Sequence, residues 1–169
     1  KESAILAFRN SEFITDKLNN VESNSKFSYL SSITDIFRLN GEEIINDIKL
    51  LNFQNNDKNL VELTDSNIKS GKYPVYVEEG ATIENCYINS SDGPVYIGKN
   101  THIMQGSMLR GPFAICDNSV VKMGAKIYGA TTIGPFCKVG GEINNSVFFG
   151  YSSKAHDGFL GNSVIGKWC

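Results

Sequence analysis

The chain has two histidines, His102 and His156, and only one stands among other reactive side chains. His156 sits in Ser152-Ser-Lys-Ala-His-Asp-Gly158, with Lys154 and Asp157 beside it. An imidazole titrates near neutral pH and suits the task of taking a proton from a nucleophile, a contribution of about 10²–10⁴-fold. A lysine supplies a fixed positive charge for a phosphate. No core role explains this cluster of Lys154, His156 and Asp157. The plainer explanation of the same stretch is a solvated loop. His102 falls in a corner of a regular repeat and reads as a surface residue.

The elements that must position His156 are set by a repeat of six. Ile97, Ile103, Leu109, Ile115, Val121, Ile127, Ile133 and Val139 stand six residues apart, eight in succession. Leu, Ile and Val make up 37 of the 169 residues, so chance would produce this run with odds on the order of one in 10⁵. Four residues after each start stands a small side chain, as in Thr101, Ser107, Ser119, Ala125, Thr131 and Cys137, with Phe113 and Ile143 the exceptions. A period of six fits neither a helix nor a plain alternating strand. It fits a parallel β-helix in which each hexapeptide forms one short strand and one corner, three to a coil. The aliphatic residue points inward, and the small one fills the tight corner.

The rest of the chain is arranged around that run. Ser3–Arg9 reads as a strand and Asn10–Leu18 as a helix. Between Ser31 and Leu51 the apolar residues Ile33, Ile36, Phe37, Ile44, Ile48 and Leu51 recur at helical spacing. Ser32-Ile-Thr-Asp35 has the form of a capping box with Asp in place of Glu. Gly41 is placed to divide this stretch into two helices, and the block reads as a linker packed on the end of the β-helix. Asn52–Lys72 reads as an irregular crossing segment with one short strand at Leu60–Leu63. The β-helix is expected over 73–169, after an N-terminal remnant and helical linker over 1–72. Ile97 follows Ile83 by fourteen residues, so two extra residues are expected at the turn cluster Ser90–Pro94. After Val139 the phase shifts again. Val147, Ser153, Phe159 and Ile165 read as the next starts, with an insertion at Gly140–Asn145. Ser153 would then replace an aliphatic residue.

A net charge of −2 gives no reason to expect nucleic acid or an anionic membrane as partner. There is no run of 18 apolar residues and no leader-like start, so the expected location is the cytoplasm. Cys86, Cys116, Cys137 and Cys169 have no CxxC spacing and read as reduced and structural. The start at Lys1 and the stop at Cys169, one residue short of a complete hexapeptide, read as those of a fragment of a longer protein.

The segment Glu142–Gly166 resembles the acetyltransferase portion of the bifunctional glucosamine-1-phosphate acetyltransferase / N-acetylglucosamine-1-phosphate uridyltransferase family (GlmU). That segment has a Ser-Lys-Ala stretch, a catalytic histidine, an aromatic residue three positions later, and Leu-Gly-Asp/Asn leading to Ile-Gly. The resemblance extends over about residues 28–169 to GlmU-like sugar nucleotidyltransferases that carry a hexapeptide-repeat domain. It implies a mainly β fold, a left-handed parallel β-helix preceded by a small α-helical linker. It further implies His156 as catalytic base, Lys154 and Phe159 as substrate-pocket neighbours, and Lys122 in Val121-Lys-Met-Gly-Ala125 as a sugar-phosphate ligand. Phe159 stands where the family has tyrosine, and Asn144 where it has a substrate-binding lysine.

By the same resemblance acetyl-CoA is the co-substrate, an amino-sugar phosphate the acceptor, and a homotrimer the assembly, with sites in grooves between β-helices. Mg would serve only a nucleotidyltransferase domain, whose Gly-x-Gly-Thr-Arg loop this chain lacks. Two functions stay open: an acyltransferase-type domain of a sugar-nucleotide enzyme, or a non-catalytic trimerisation or regulatory β-helix. A zinc enzyme of this fold would need three histidines, and the chain has two.

Overall fold

The computed structural model describes residues 28–51 and 63–169. The strand expected at Ser3–Arg9, the helix at Asn10–Leu18 and the strand at Leu60–Leu63 lie outside them, save Leu63.

The described chain is one helix followed by a parallel β-solenoid of about five turns with three sheets. The first sheet stacks Ile68–Ser70, Tyr87–Asn89, Met108–Arg110, Lys126–Tyr128, Glu142–Asn144 and Phe159–Gly161. The second stacks Val75–Val77, Val95–Ile97, Phe113–Ile115, Thr131–Ile133, Val147–Phe148 and Val164–Ile165. The third stacks Thr82–Ile83, His102–Ile103, Val120–Val121, Lys138–Val139 and Ser153–Lys154. This is the three-walled coil that the hexapeptide repeat predicts. Its sheets begin at Ile68, ahead of the expected start at 73.

The register shows why a period of six folds this way. Each inward aliphatic residue lies on its equivalent one coil away: Ile97 on Ile115 on Ile133, Ile103 on Val121 on Val139, Leu109 on Ile127 on Ile143. All nine are between 0% and 2% exposed. Burying each such side chain contributes about 1.5–3 kcal/mol. The small residues turn the corners and satisfy buried polar atoms. Ser119 Oγ donates to Gly134 O at 2.9 Å and accepts the Cys137 N–H at 3.0 Å. Ser152 Oγ donates to Gly166 O at 2.7 Å and accepts the Cys169 N–H at 3.1 Å. Among the described residues no buried side-chain nitrogen or oxygen lacks a partner, as a stable interior requires.

The net insertion of two residues falls where expected, in the bend at Ser91–Gly93. After Val139 the expected phase is wrong. The coil contracts there instead of expanding. Ile143, Phe148, Lys154, Leu160 and Ile165 continue the inward columns, so the step from Val139 is four residues and the next is five. Gly141, with φ of +72°, makes the tight corner that shortens the step. Ser153 and Phe159 therefore face outward. The inward place of the third sheet belongs to Lys154, paired with Val139.

Thr34–Leu51 forms a single helix, α1, undivided at Gly41. The Asp35 carboxylate accepts the N–H groups of Ser31 and Ser32 at 2.8 and 2.9 Å, and Ser32 Oγ accepts that of Thr34 at 3.1 Å, which caps the first turn. Gly41 provides clearance: a Cβ there would come within 2.9 Å of Ala130 Cβ. α1 packs on the flank of the solenoid, not on its end. Ile44 and Ile48 are buried, and α1 lies across the second-sheet strands from Phe113–Ile115 to Val164–Ile165. Asn40 fixes its height by donating to Ala130 O at 2.5 Å and accepting from Thr132 Oγ1 at 2.7 Å.

Candidate functional site

The contracted coil brings three of the five sequence-predicted site residues to one corner, between the third and first sheets. Lys122, Gly140 and Ala155 follow the last residues of successive third-sheet strands and are linked in ladder order: Lys122 N–H donates to Val139 O and Gly140 N–H to Lys154 O. Gly140 keeps these layers close. A Cβ on it would come within 3.1 Å of Lys122 Cβ and 2.6 Å of Ala155 O. Lys122 is half-buried, and Lys138 stands exposed on the outer face of the same sheet. His156 is next in the chain after Ala155. It is exposed, and among the described residues its imidazole has no hydrogen-bond or ion-pair partner.

Lys154, expected as a substrate-pocket neighbour, is bonded to the chain's own backbone. Its stem extends the inward column below Val139. Its ammonium donates to Gly140 O at 2.9 Å, His156 O at 2.7 Å and Gly158 O at 2.9 Å. All three N–H bonds of the ammonium are matched to carbonyl oxygens, two in the turn that carries His156 and one, of Gly140, on the preceding coil.

Phe159 and Asn144 lie on the adjoining outer face of the first sheet. Phe159 pairs with Glu142, and Asn144 with Gly161. The Phe159 ring, 64% exposed, folds over Gly161, where a Cβ would lie 2.5 Å from its Cζ. Asn144 is half-buried, its Oδ1 against Gly129.

Two features were not anticipated from the sequence. His102 Nε2 lies 2.7 Å from Glu84 Oε1, and Glu84 Oε2 accepts the Gln105 N–H at 3.3 Å. The hydrogen bond to His102 holds the Glu84 carboxyl below its ordinary value, against a smaller opposing effect of burial. The coil length was the available signal. Once the Ser91–Gly93 insertion is placed, Thr82 pairs with His102 and Glu84 falls diagonal to it. The second feature is an aromatic ladder. The rings of Phe136 and Tyr151 stack at 4.9 Å, and those of Tyr151 and Trp168 at 4.6 Å.

Three of the four thiols are not poised for nucleophilic work. Burial pushes Cys116 up to about 11, helped by the Asp117 charge, and burial also raises Cys86 and Cys137, so none of these three is a thiolate near neutral pH. Among the described residues no three His, Cys, Asp or Glu side chains gather as a metal-binding set, and no helix is long and apolar enough to cross a membrane. A cavity of about 180 Å³ lies at the opposite end of the coil stack, lined by Leu63, Asn67, Val77 and Ile83 among others. None of the five candidates lines it. No family model, curated protein or solved structure matches the chain.

Proposed function

We propose that this β-solenoid is the acyl-transfer domain of a sugar-nucleotide enzyme, using acetyl-CoA to acetylate an amino-sugar phosphate. The observation that supports this reading is the stacking of Lys122 over Gly140 and Ala155, which roots a lysine side chain in the corner that leads into the turn carrying His156. In the reaction His156 accepts a proton from the acceptor amine as its nitrogen attacks the thioester carbonyl. The carbon–sulfur bond then breaks, and the thiolate leaves and is protonated. Lys122 and the exposed Lys138 offer positive charge to phosphates. Phe159 and Asn144, on the next face, flank the acceptor.

The test is isothermal titration with acetyl-CoA, followed by a transfer assay with glucosamine 1-phosphate. Saturable binding, and turnover reduced about 100-fold or more in His156→Ala, are expected. Absence of turnover in a folded, assembled protein would sink the proposal.

One observation favours the second reading, a trimerisation or regulatory module. The outer face of the first sheet exposes Tyr87, Met108 and Phe159, at 50%, 50% and 64%. Such a surface suits burial against another copy. A trimer in sedimentation equilibrium that dissociates in Met108→Glu, without acetyl-CoA binding in either form, would select this reading.

A further inference from the structure

A lysine in a core-facing column needs an explanation. Ile83, Ile103, Val121 and Val139 precede Lys154 in the third-sheet ladder. A fifth aliphatic residue would continue the packing at no cost in desolvated charge. Instead the ammonium reaches under the corner and meets three carbonyl oxygens, of Gly140, His156 and Gly158, within 2.9 Å. Gly141 makes the space. A Cβ there would stand 2.8 Å from Lys154 Nζ, 2.8 Å from Gly158 O and 2.9 Å from His156 O. The oxygens converge as in a site for a small monovalent cation, and the cation is supplied by the chain itself.

Two of those oxygens belong to the turn Ala155–Gly158, and one is the carbonyl of His156. Phe159 begins the next strand. Three residues therefore bridge Lys154 and Gly158. Among the described residues no other side chain bonds the backbone of this turn. Its backbone is also held by the ladder bond from Glu142 N–H to Gly158 O at 3.0 Å. We infer that Lys154 is a positioning residue: its ammonium closes the carbonyl nest of Gly140, His156 and Gly158 and so fixes the direction in which His156 is presented. The value of that direction for acyl transfer rests on the function proposed above; the nest itself does not.

The experiment uses the full chain with labelled histidine. Two histidines give two imidazole resonances, and His102, paired with Glu84 on an earlier coil, serves as internal control. Lys154→Met keeps the stem and restores an apolar column. In it the His156 resonance should broaden or move to the shift of an unstructured histidine while His102 stays in place. An unmoved His156 resonance in this variant overturns the inference.

Lys154→Ala empties the nest, and added methylammonium should restore the His156 resonance saturably. Lack of rescue in a chain whose His102 signal is native would count equally against it. The wild-type chain supplies a check that requires no folded variant. The Lys154 ammonium protons should persist in water under conditions where the signals of other lysines are lost to exchange, and their loss along with the rest would refute the nest.

The transfer assay then separates this inference from the function. If Lys154 positions His156, Lys154→Met lowers kcat about 10-fold or more with KM for the acceptor unchanged. A raised KM at constant kcat would mean that Lys154 contacts substrate instead. If the wild type transfers nothing, the proposed function falls, and the resonance experiments still decide the nest.

Discussion

At the scale of single residues, two clusters allow sharp tests. The first is Glu84 with His102. Because the hydrogen bond from His102 holds the Glu84 carboxyl low, the folded chain binds that proton less readily than the unfolded chain does. Any stability from the pair is therefore fully present above the ordinary carboxylate value of about 4.3 and is lost as pH falls through the lowered folded value. Following the Glu84 carboxyl carbon by NMR should show a midpoint below the ordinary range in the wild type, returning toward it in His102→Asn. An unchanged midpoint would mean that the 2.7 Å contact is not maintained in solution.

The second cluster is the aromatic ladder, where bulky residues occupy a backbone region that favours glycine. Phe136, Tyr151 and Trp168 have φ of +57°, +53° and +63°. In the equivalent corners of earlier coils stand Gly80, Asn100 and Asn118, also with positive φ. The left-handed conformation costs a residue with a Cβ about 1–2 kcal/mol, and each stacked pair returns about 0.5–1.5 kcal/mol. Tyr151→Ala keeps the strain and loses both stacks, so it should destabilise by about 1–3 kcal/mol. Tyr151→Gly loses the stacks but relieves the strain, and should melt above Tyr151→Ala. The reverse order in thermal unfolding would show that the corner is not strained. Both variants should shift the emission of Trp168, the single tryptophan.

At the scale of elements, α1 shows how an added layer changes what a sequence displays. Asn40 is 9% exposed and bonds both Ala130 O and Thr132 Oγ1. Asn40→Ala leaves that carbonyl and that hydroxyl without their partner beneath the helix, at a cost of about 1–3 kcal/mol. The prediction is a lower denaturation midpoint with an unchanged slope. A steeper or shallower slope would mean that α1 undocks altogether.

The same helix explains the misread phase. The run from Ile97 to Val139 was legible because nothing but the interior buries aliphatic residues there. At Val147-Phe148-Phe149 three apolar residues compete. Val147 is 7% exposed while facing outward, since α1 lies over the strand it belongs to. Phe148 faces the interior at 1%, and Phe149 is 47% exposed. A slip of one residue exchanges the faces of a strand, so taking Val147 as inward also turned Ser153 and Phe159 inward in place of Lys154 and Leu160. The corner holding Lys122, Lys154 and His156 was nameable residue by residue. The nest was not, because its acceptors are backbone carbonyls and carry no sequence signature.

At the scale of the whole molecule, a solenoid holds each coil mainly through its neighbours, so local stability follows local burial. The middle coils are closed on every wall: Ile97, Ile103, Ile115, Val121, Ile133 and Val139 are all 0% exposed. The last described coil is weaker. Leu160 and Ile165 are only half-buried, and the inward column of the third sheet ends in the charged Lys154. The first strand, Ile68–Ser70, is exposed at all three residues. Amide hydrogen exchange should therefore be slowest for the strands from Val95–Ile97 to Lys138–Val139 and open only with global unfolding there. Phe159–Gly161 and Val164–Ile165 should exchange through local opening at lower free energy, with the second-sheet strand the better protected of the two because α1 lies across it. Lys154→Met sharpens the test. If the nest ties the turn to the coil above it, exchange at Phe159–Gly161 should accelerate while the middle coils keep their protection. Uniform protection along the whole stack, unaltered by that substitution, would show a single cooperative unit in which the contracted coil is no weaker than the rest.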